Sequence, residues 1–525
     1  MSGASLAIVG ESTSHSTPSA SGPAMGRRRH RLCLAALTAV AAALYATFSL
    51  LCFHTFRSGT YDLVIFDQAV RSYSRFHLPV AMVKGVHDGF GPGFSVLGDH
   101  WSPILALLAP TYWIHDGPVT LLVAQAVLVA LAVPPLWAFT RREFGGGRAG
   151  TLAAYLVCAG YALCWPVTEA TAFDFHEVAF VPVLTSVLFE RFSAYRHGTG
   201  RWWHGVLPAV ALLAVKEDMG LLVAGFGAVL LLRCVPRTAP RRRAHLVLGV
   251  IFVLGGLGAA WLSIRVLVPA FGGDPDYYWA YDRFGPDAPS AVAYMLLHPL
   301  ETLNASVHPA IKVRTLLWLL AVGAATPLAS PYVIVPLPLL AARLLNDRFP
   351  NWWTPYFQYN AFIVIPILCA AVDGTARLRR LIGRRSAPVG TGIAIGWAGL
   401  VLAGALVSLP SFVFSHLADS GYWVRDARMR AAAAADAHVP SGALVETTNY
   451  LGPQISARTR VLLWDRTPRW APWVVADTRV RHFPFHTLDE QRQRVDLLRR
   501  SGYQVVFEEE GYAVLHRARP ASGGG

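Results

Sequence analysis

The stretch LCLAALTAVAAALYATFSLLCF, residues 32–53, decides how the chain is placed, because it contains no charged residue. A membrane-spanning helix needs about 20 predominantly apolar residues, whereas the apolar part of a signal peptide has only about 7–15. Arg27, Arg28 and Arg29 precede the stretch, and basic residues accumulate on the cytoplasmic side of membrane helices. We therefore predict an uncleaved first transmembrane helix, preceded by a disordered cytoplasmic N-terminus over residues 1–31.

The composition extends this interpretation to most of the chain. Of its 525 residues, 54% are hydrophobic and 15% are charged, whereas soluble domains carry about 25% charged residues. The net charge is +14, but basic clusters such as Arg141-Arg142 lie at the ends of apolar runs. That pattern indicates membrane topology and argues against nucleic acid as a partner. The six cysteines include no CxxC pair, which argues against a zinc site or a disulfide framework.

The basic clusters predict about eleven transmembrane helices within residues 32–413. The N-terminus is then cytoplasmic, and residues 54–117 form a long first outer loop whose segment ILALLAPTYWI is too short to span. Residues 203–232 carry Lys216, Glu217 and Asp218 between two basic flanks. Two short helices with these charges at the outer turn keep both flanks cytoplasmic and avoid burying three charges at mid-membrane.

Residues 414–517 follow a different pattern. The segments ALVETTNYL, RVLLWD and WVVAD are typical of short strands, LDEQRQRVDLLRRSG predicts a helix, and YQVVFEEEGYAVLHR predicts a hairpin. We therefore predict a small extracytoplasmic α/β domain attached to an all-α membrane part. Residues 518–525 are predicted to be a disordered tail.

The predicted topology brings the polar clusters of the chain to its outer face. These clusters contain Asp62, Asp67, Asp99, His100, Asp174, His176, Glu177, Lys216, Glu217 and Asp218. Arg265 lies near the outer end of a further predicted helix. A polar constellation at one membrane face suggests a site for a lipid-borne or extracytoplasmic substrate.

Sugar transfer from a lipid phosphate would use these residue types. The acceptor hydroxyl loses a proton as it attacks, which suits a carboxylate base, and the leaving phosphate suits Lys or Arg. Asp67 is the first choice for the base, because its position between Phe66 and Gln68 favours partial burial and a raised pKa. On a helix, Asp62 would lie about 140° from Asp67, so the two are not predicted to act as a pair.

Lys216 is the first candidate for contact with the donor phosphate, followed by Arg265 and His100. Structural roles compete with these assignments: Asp67 could cap a helix, Lys216 could form an ion pair, and Arg265 could reach the lipid head groups. A further set is predicted to bind substrate or a divalent cation, namely Asp99, Asp174, His176, Glu177, Glu217 and Asp218. No spacing among these residues identifies a particular metal.

Five segments of the chain carry a family resemblance. They are YDLVIFDQA at 61–69, GDHWSPILALLAPTYWI at 98–114, FDFHE at 173–177, KED at 216–218 and FQYNAFIVIP at 357–366. In this order they resemble a bacterial family of polytopic membrane proteins of unknown function that is grouped with the GT-C glycosyltransferase fold. The resemblance implies a polyprenyl-phosphate-sugar donor, an extracytoplasmic active site and an inverting mechanism. It also implies a functional acid in the first outer loop, which is Asp67 or, as second choice, Asp62.

The leading hypothesis is a multi-pass plasma-membrane glycosyltransferase that acts on an envelope glycan, lipid or protein and contacts membrane lipids. One alternative is a transporter or flippase for a polyprenyl-linked lipid, and another is an envelope scaffold without activity. A transporter would line a path with charged residues at several depths. The concentration of charge at the outer face favours the enzyme.

Overall fold

The chain is mostly helical and ends in a small sheet. A computed structural model describes residues 22–235, 241–383 and 387–517. The α-helices are α1 (Gly22–His54), α2 (Ile65–Ser74), α3 (Met82–His87), α4 (Pro118–Ala130), α5 (Val133–Glu143), α6 (Arg148–Leu163), α7 (Trp165–Ala172), α8 (Phe180–Arg196), α9 (Trp203–Leu213), α10 (Met219–Leu232), α11 (Arg242–Leu262), α12 (Val268–Ala270), α13 (Ala288–Leu297), α14 (Pro299–Val307), α15 (Ala310–Val322), α16 (Leu337–Leu345), α17 (Ala361–Gly383), α18 (Ala387–Ser408), α19 (Ala427–Ala437), α20 (Gly452–Ile455) and α21 (Leu488–Arg500). The strands are β1 (Leu444–Thr447), β2 (Arg460–Leu463), β3 (Trp473–Asp477), β4 (Gln504–Glu509) and β5 (Tyr512–His516).

Six helices within the described residues are long and apolar enough to cross a membrane. They are Arg28–His54, Pro118–Glu143, Glu177–Arg196, Arg242–Ala270, Gln358–Ile382 and Gly392–Ser411. Two bent pairs, α6 with α7 and α14 with α15, raise the number to eight if each pair is one span. The predicted number of about eleven transmembrane helices is therefore not confirmed. A helical protein with several candidate membrane spans is confirmed.

The first helix begins earlier than predicted. Its first residue is Gly22, so the predicted disorder is wrong for residues 22–31, while residues 1–21 lie outside the described chain. The arginines before the apolar stretch are good helix formers, and they extend the helix beyond the hydrocarbon-length segment. The predicted disordered tail at 518–525 also lies outside the described residues.

The charged triplet Lys216-Glu217-Asp218 interrupts the apolar stretch that the sequence analysis divided into two. Helix α9 ends at Leu213 and helix α10 begins at Met219, so the triplet lies in the break between them. A break at this point lets the three charged side chains reach polar partners instead of lipid. The loop over residues 54–117 lies against the same break, since the Ile104 N–H donates to the Ala214 carbonyl at 3.0 Å.

Residues 54–117 are folded rather than extended. They contain a π-helix over Thr60–Val64, the helices α2 and α3, and a 3₁₀-helix over Pro103–Trp113. Pro110 lies inside the 3₁₀-helix, where the missing N–H is tolerated because the segment is not a regular α-helix.

The C-terminal strands form one sheet in the order β2-β1-β3-β5-β4. Strands β1, β2 and β3 are parallel, and β5 runs antiparallel to both β3 and β4. Alternate residues of β3 belong to two cores: Val475 packs in the core that includes α19, and Val474 packs with Leu498 of α21. The predicted strands, helix and terminal hairpin of residues 414–517 are thus confirmed as elements.

Candidate functional site

Asp67 lies in a buried ion pair. Its carboxylate accepts hydrogen bonds from Arg71 at 2.9 Å and from the Tyr112 hydroxyl at 2.8 Å. Burial raises the pKa of Asp67 even though Arg71 and Tyr112 oppose that shift. The side chain is fully buried, and its contacts join α2 to the 3₁₀-helix of the same loop. This position suits a structural link.

Asp62, the second choice for the base, has the more open position. It lies in the π-helix Thr60–Val64, and its side chain is 33% exposed. His176 Nε2 lies 3.5 Å from Asp62 Oδ1, and His176 Nδ1 lies 2.9 Å from the Asp174 carbonyl oxygen. Burial by itself would lower the pKa of His176, but Asp62 outweighs burial and holds that pKa above its usual value. The imidazolium form satisfies both oxygen neighbours, because each ring nitrogen then donates.

Asp174 lies beside this pair and is buried. Its Oδ2 accepts the Gly59 N–H at 2.7 Å. Burial, followed by the negative charge of Asp62, raises the pKa of Asp174 to about 7. Asp62 and Asp174 therefore form a pair of acids in different environments, one partly exposed and one buried with a raised pKa.

A chain of alternating charges extends from FDFHE to the KED triplet. Lys216 Nζ lies 3.1 Å from Glu177 Oε1 and 3.3 Å from His100 Nε2. His100 Nδ1 lies 2.9 Å from Glu217 Oε1. Burial and Lys216 lower the pKa of His100, but the charges of Glu217 and Asp99 outweigh them and raise it.

Asp218 completes the KED triplet and is the one member with an unsatisfied atom. Its Oδ1 is buried and has no hydrogen-bond partner in the structure. An unpartnered buried oxygen is costly, so Asp218 is a candidate for contact with a substrate hydroxyl.

A second lysine, which the sequence analysis assigned no role, lies next to this chain. Lys84 Nζ is 3.0 Å from both Asp88 and Asp99 and is surrounded by tyrosine rings. Those rings belong to Tyr61, Tyr277 and Tyr278. Tyr278 also stacks on His100 with ring centroids 4.8 Å apart. Lys84 is satisfied by protein groups, and its cage supports the His100 side of the cluster.

Arg343 is a further residue that the sequence analysis missed. It is 6% exposed; its Nε donates to the Trp352 carbonyl at 2.7 Å and its Nη2 donates to Asn360 Oδ1 at 3.0 Å. Its Nη1 is buried without a partner, and none of the described carboxylates forms an ion pair with it. A buried guanidinium without a counter-ion is costly, so this group is suited to receive an anion.

Tyr359 directly precedes Asn360, whose Oδ1 accepts the hydrogen bond from Arg343 Nη2 at 3.0 Å. Tyr359 belongs to the FQYN segment that carries the family resemblance, so the sequence marked this residue as a candidate. Nothing in the segment indicated what the side chain does.

Arg265 lies outside the cluster. It forms an ion pair with Asp276 at 2.8 Å, and both side chains are substantially exposed. The structure therefore brings together most of the predicted site residues but leaves out Asp67 and Arg265. Those brought together are Asp62, Asp99, His100, Asp174, His176, Glu177, Lys216, Glu217 and Asp218.

The arrangement does not form a recognisable metal centre. Among the described residues, no group of three or more His, Cys, Asp or Glu side chains is placed to hold a metal ion.

Comparison with protein families identifies the chain by sequence. Residues 53–514 match the family described as "Predicted membrane protein (DUF2079)". The chain belongs to this family. The match runs from the end of α1 to β5 and so includes the C-terminal domain. No curated protein matches the sequence.

Two solved structures of ArnT from Cupriavidus metallidurans resemble this family member in fold. The structure bound to undecaprenyl phosphate has a TM-score of 0.48 and 12% identity, covering 92% of this chain and 97% of that one. The structure in the apo state has a TM-score of 0.43 and 11% identity, covering 90% of this chain and 97% of that one.

Proposed function

We propose that the protein is a membrane glycosyltransferase that transfers a sugar from a polyprenyl-phosphate donor to an envelope glycan, lipid or protein at the extracytoplasmic face. The observation that carries the proposal is that the adjacent residues His176 and Glu177 contact Asp62 at 3.5 Å and Lys216 at 3.1 Å. Arg343 adds a buried cation with an unpartnered Nη1. A partly exposed carboxylate, a partly buried lysine and a buried arginine are the groups that a base and a phosphate-binding pair require.

Asp62 is the proposed base, in place of Asp67. It removes the proton from the acceptor hydroxyl, and it is the open carboxylate of the cluster. His176 holds Asp62 in place through the contact at 3.5 Å. Asp174 supports the arrangement from the buried side.

Lys216 and Arg343 are the proposed contacts of the donor phosphate. The unpartnered Arg343 Nη1 gives a directed hydrogen bond, and Lys216 adds a positive charge. His100, next to Lys216 at 3.3 Å, is an auxiliary donor. These groups stabilise the negative charge that develops on the phosphate as it leaves.

The proposed reaction is a single displacement. The acceptor oxygen forms a bond to the anomeric carbon as the bond from that carbon to the phosphate oxygen breaks. The acceptor proton passes to Asp62, and polyprenyl phosphate leaves with the electron pair of the broken bond. The anomeric configuration is inverted, and the reaction needs no covalent enzyme intermediate.

Binding of undecaprenyl phosphate tests the phosphate site directly. We expect Arg343→Lys and Lys216→Gln to weaken its binding to the detergent-solubilised protein by about tenfold or more, because each removes a charge-assisted contact. Arg265→Gln, the matched control outside the cluster, should bind like wild type. Equal affinities in all three variants would contradict the proposed phosphate site.

Envelope glycan analysis in a deletion strain tests the enzymatic part. A strain complemented with Asp62→Asn should show the altered glycan profile of the deletion, at normal membrane abundance of the protein. A wild-type profile in that strain, together with intact undecaprenyl phosphate binding, would instead support a lipid carrier.

A further inference from the structure

The helix that carries the proposed base is capped from a distant part of the chain. A helix leaves its first N–H groups without partners inside the helix, and a nearby side chain usually satisfies one of them. For the π-helix Thr60–Val64, the residue in front is Gly59, which has no side chain to do this. The partners of these N–H groups lie elsewhere.

Asn449 of the C-terminal domain provides two of these partners. Its backbone carbonyl accepts the Thr60 N–H and also the Thr60 hydroxyl, the latter at 2.6 Å. Its side-chain oxygen accepts the Tyr61 N–H at 3.0 Å. Tyr61 directly precedes Asp62, so one residue of the C-terminal domain fixes the backbone from which the proposed base projects.

The turn that contains Asn449 fits closely against the π-helix. Gly452 follows in the same turn, and a Cβ atom at its position would lie only 2.4 Å from Thr60 Oγ1. The absence of a side chain therefore permits the close approach. Tyr450, between the two, is 40% exposed.

We propose that Asn449 is a positioning residue for Asp62, so that the C-terminal domain is a functional part of the site rather than a separate module. This inference rests on the proposed role of Asp62 as base. The side-chain oxygen of Asn449 holds the Tyr61 N–H, and the direction of Asp62 toward the acceptor follows from that bond.

The rival interpretation is that Asn449 only attaches the domain to the membrane part. Other contacts make that attachment independent of Asn449. Gln454 donates to the Phe53 carbonyl, Gln68 donates to the Val461 carbonyl at 3.0 Å, and His87 pairs with Asp465 at 2.9 Å. The domain should therefore stay docked when the Asn449 side chain is shortened.

The experiment compares Asn449→Ala, Asn449→Asp and Gln454→Ala in the complemented deletion strain and as purified proteins. Asn449→Ala should reduce the glycan product by about 10- to 100-fold, because a small displacement of a catalytic group is costly. Its affinity for undecaprenyl phosphate should change less than about twofold, since the phosphate contacts lie on other elements. Hydrogen exchange at residues 60–64 should become faster.

Asn449→Asp keeps an acceptor for the Tyr61 N–H and should restore most of the product. Gln454→Ala removes a domain contact of similar type and should behave like wild type. Full product from Asn449→Ala, or an equal loss from Gln454→Ala, would overturn the positioning role while Asp62→Asn remained inactive. Full product from Asp62→Asn would overturn the proposed function and the positioning role with it.

Discussion

Asp62 and Asp67 show how two acids of one segment come to have different roles. The sequence analysis preferred Asp67 because its neighbours predicted burial, and Asp67 is indeed buried. Burial here comes with the partners Arg71 and Tyr112, which use the carboxylate structurally. Which of the two acids stays partly exposed depends on contacts with residues far along the chain, such as His176, and no local pattern reveals those contacts.

The two acids should respond oppositely to amide substitution. Asp67→Asn breaks a buried ion pair and should lower the free energy of unfolding by about 3 kcal/mol, with product still formed at permissive temperature. Asp62→Asn should abolish product with little effect on the thermal midpoint, because the side chain is partly exposed. Thermal unfolding and glycan analysis on the same two variants check this. Loss of product in Asp67→Asn alone would restore Asp67 as the base.

Asp174 should make stability depend on pH. Its pKa is about 7 in the folded protein, against about 3.9 for an unperturbed aspartate. The folded state therefore binds more protons between about pH 4 and 7, so stability should fall as pH rises through that window, by at most about 1.4 kcal/mol per pH unit. Asp174→Asn should flatten the dependence, measured as the unfolding midpoint against pH. The exposed control Asp489→Asn should leave the slope unchanged.

Among the structural elements, the break between α9 and α10 could be predicted from the sequence. The side chains that surround this break could not be predicted in the same way. The charges of the KED triplet and its basic flanks indicated two short helices. The cage around Lys84 depends on Tyr277 and Tyr278, which reach it from a different segment of the chain. In the sequence, Arg343 is a single charge within an apolar run. Only the folded structure shows that its Nη1 is buried without a hydrogen-bond partner.

Gly59, the residue before the π-helix, donates its N–H to Asp174 of the FDFHE segment at 2.7 Å. Its φ of −89° suits any residue, but a Cβ atom there would lie 3.0 Å from Asp174 Oδ2. Gly59→Ala should therefore displace Asp174 and lower product, with a loss of about 1–2 kcal/mol in stability. Gly258→Ala is the matched control, because a Cβ atom at that helical position meets nothing within 4 Å. Thermal unfolding and product formation should be measured in both variants. Equal stability and equal product in the two would contradict the predicted displacement of Asp174.

At the scale of the whole molecule, the C-terminal domain followed most directly from sequence. Each of its predicted strands forms, since short alternating segments bounded by turns have few alternative structures. The number of spans was harder to predict. Apolar runs such as Ala288–Leu297 and Pro331–Leu345 are helical but short, so composition alone does not decide whether they cross the membrane.

The proposed topology places the first loop and the C-terminal domain outside and the α8–α9 turn inside. Three exposed positions report on these regions: His77, Ser441 and Thr199. In a Cys33→Ala background, a membrane-impermeant thiol reagent applied to intact cells should label cysteine at His77 and Ser441. It should label cysteine at Thr199 only after the membrane is opened. Labelling of Thr199→Cys in intact cells would contradict this orientation.

The donor phosphate is proposed to bind beside Asp62, between Lys216 and Arg343. A cryo-electron microscopy structure of the full chain with undecaprenyl phosphate in a lipid nanodisc would locate that phosphate. Its oxygens should lie within about 3 Å of Lys216 Nζ and Arg343 Nη1, with the Asp62 carboxylate next to the phosphate. Phosphate density that contacts neither cation, for example at Arg265, would contradict it.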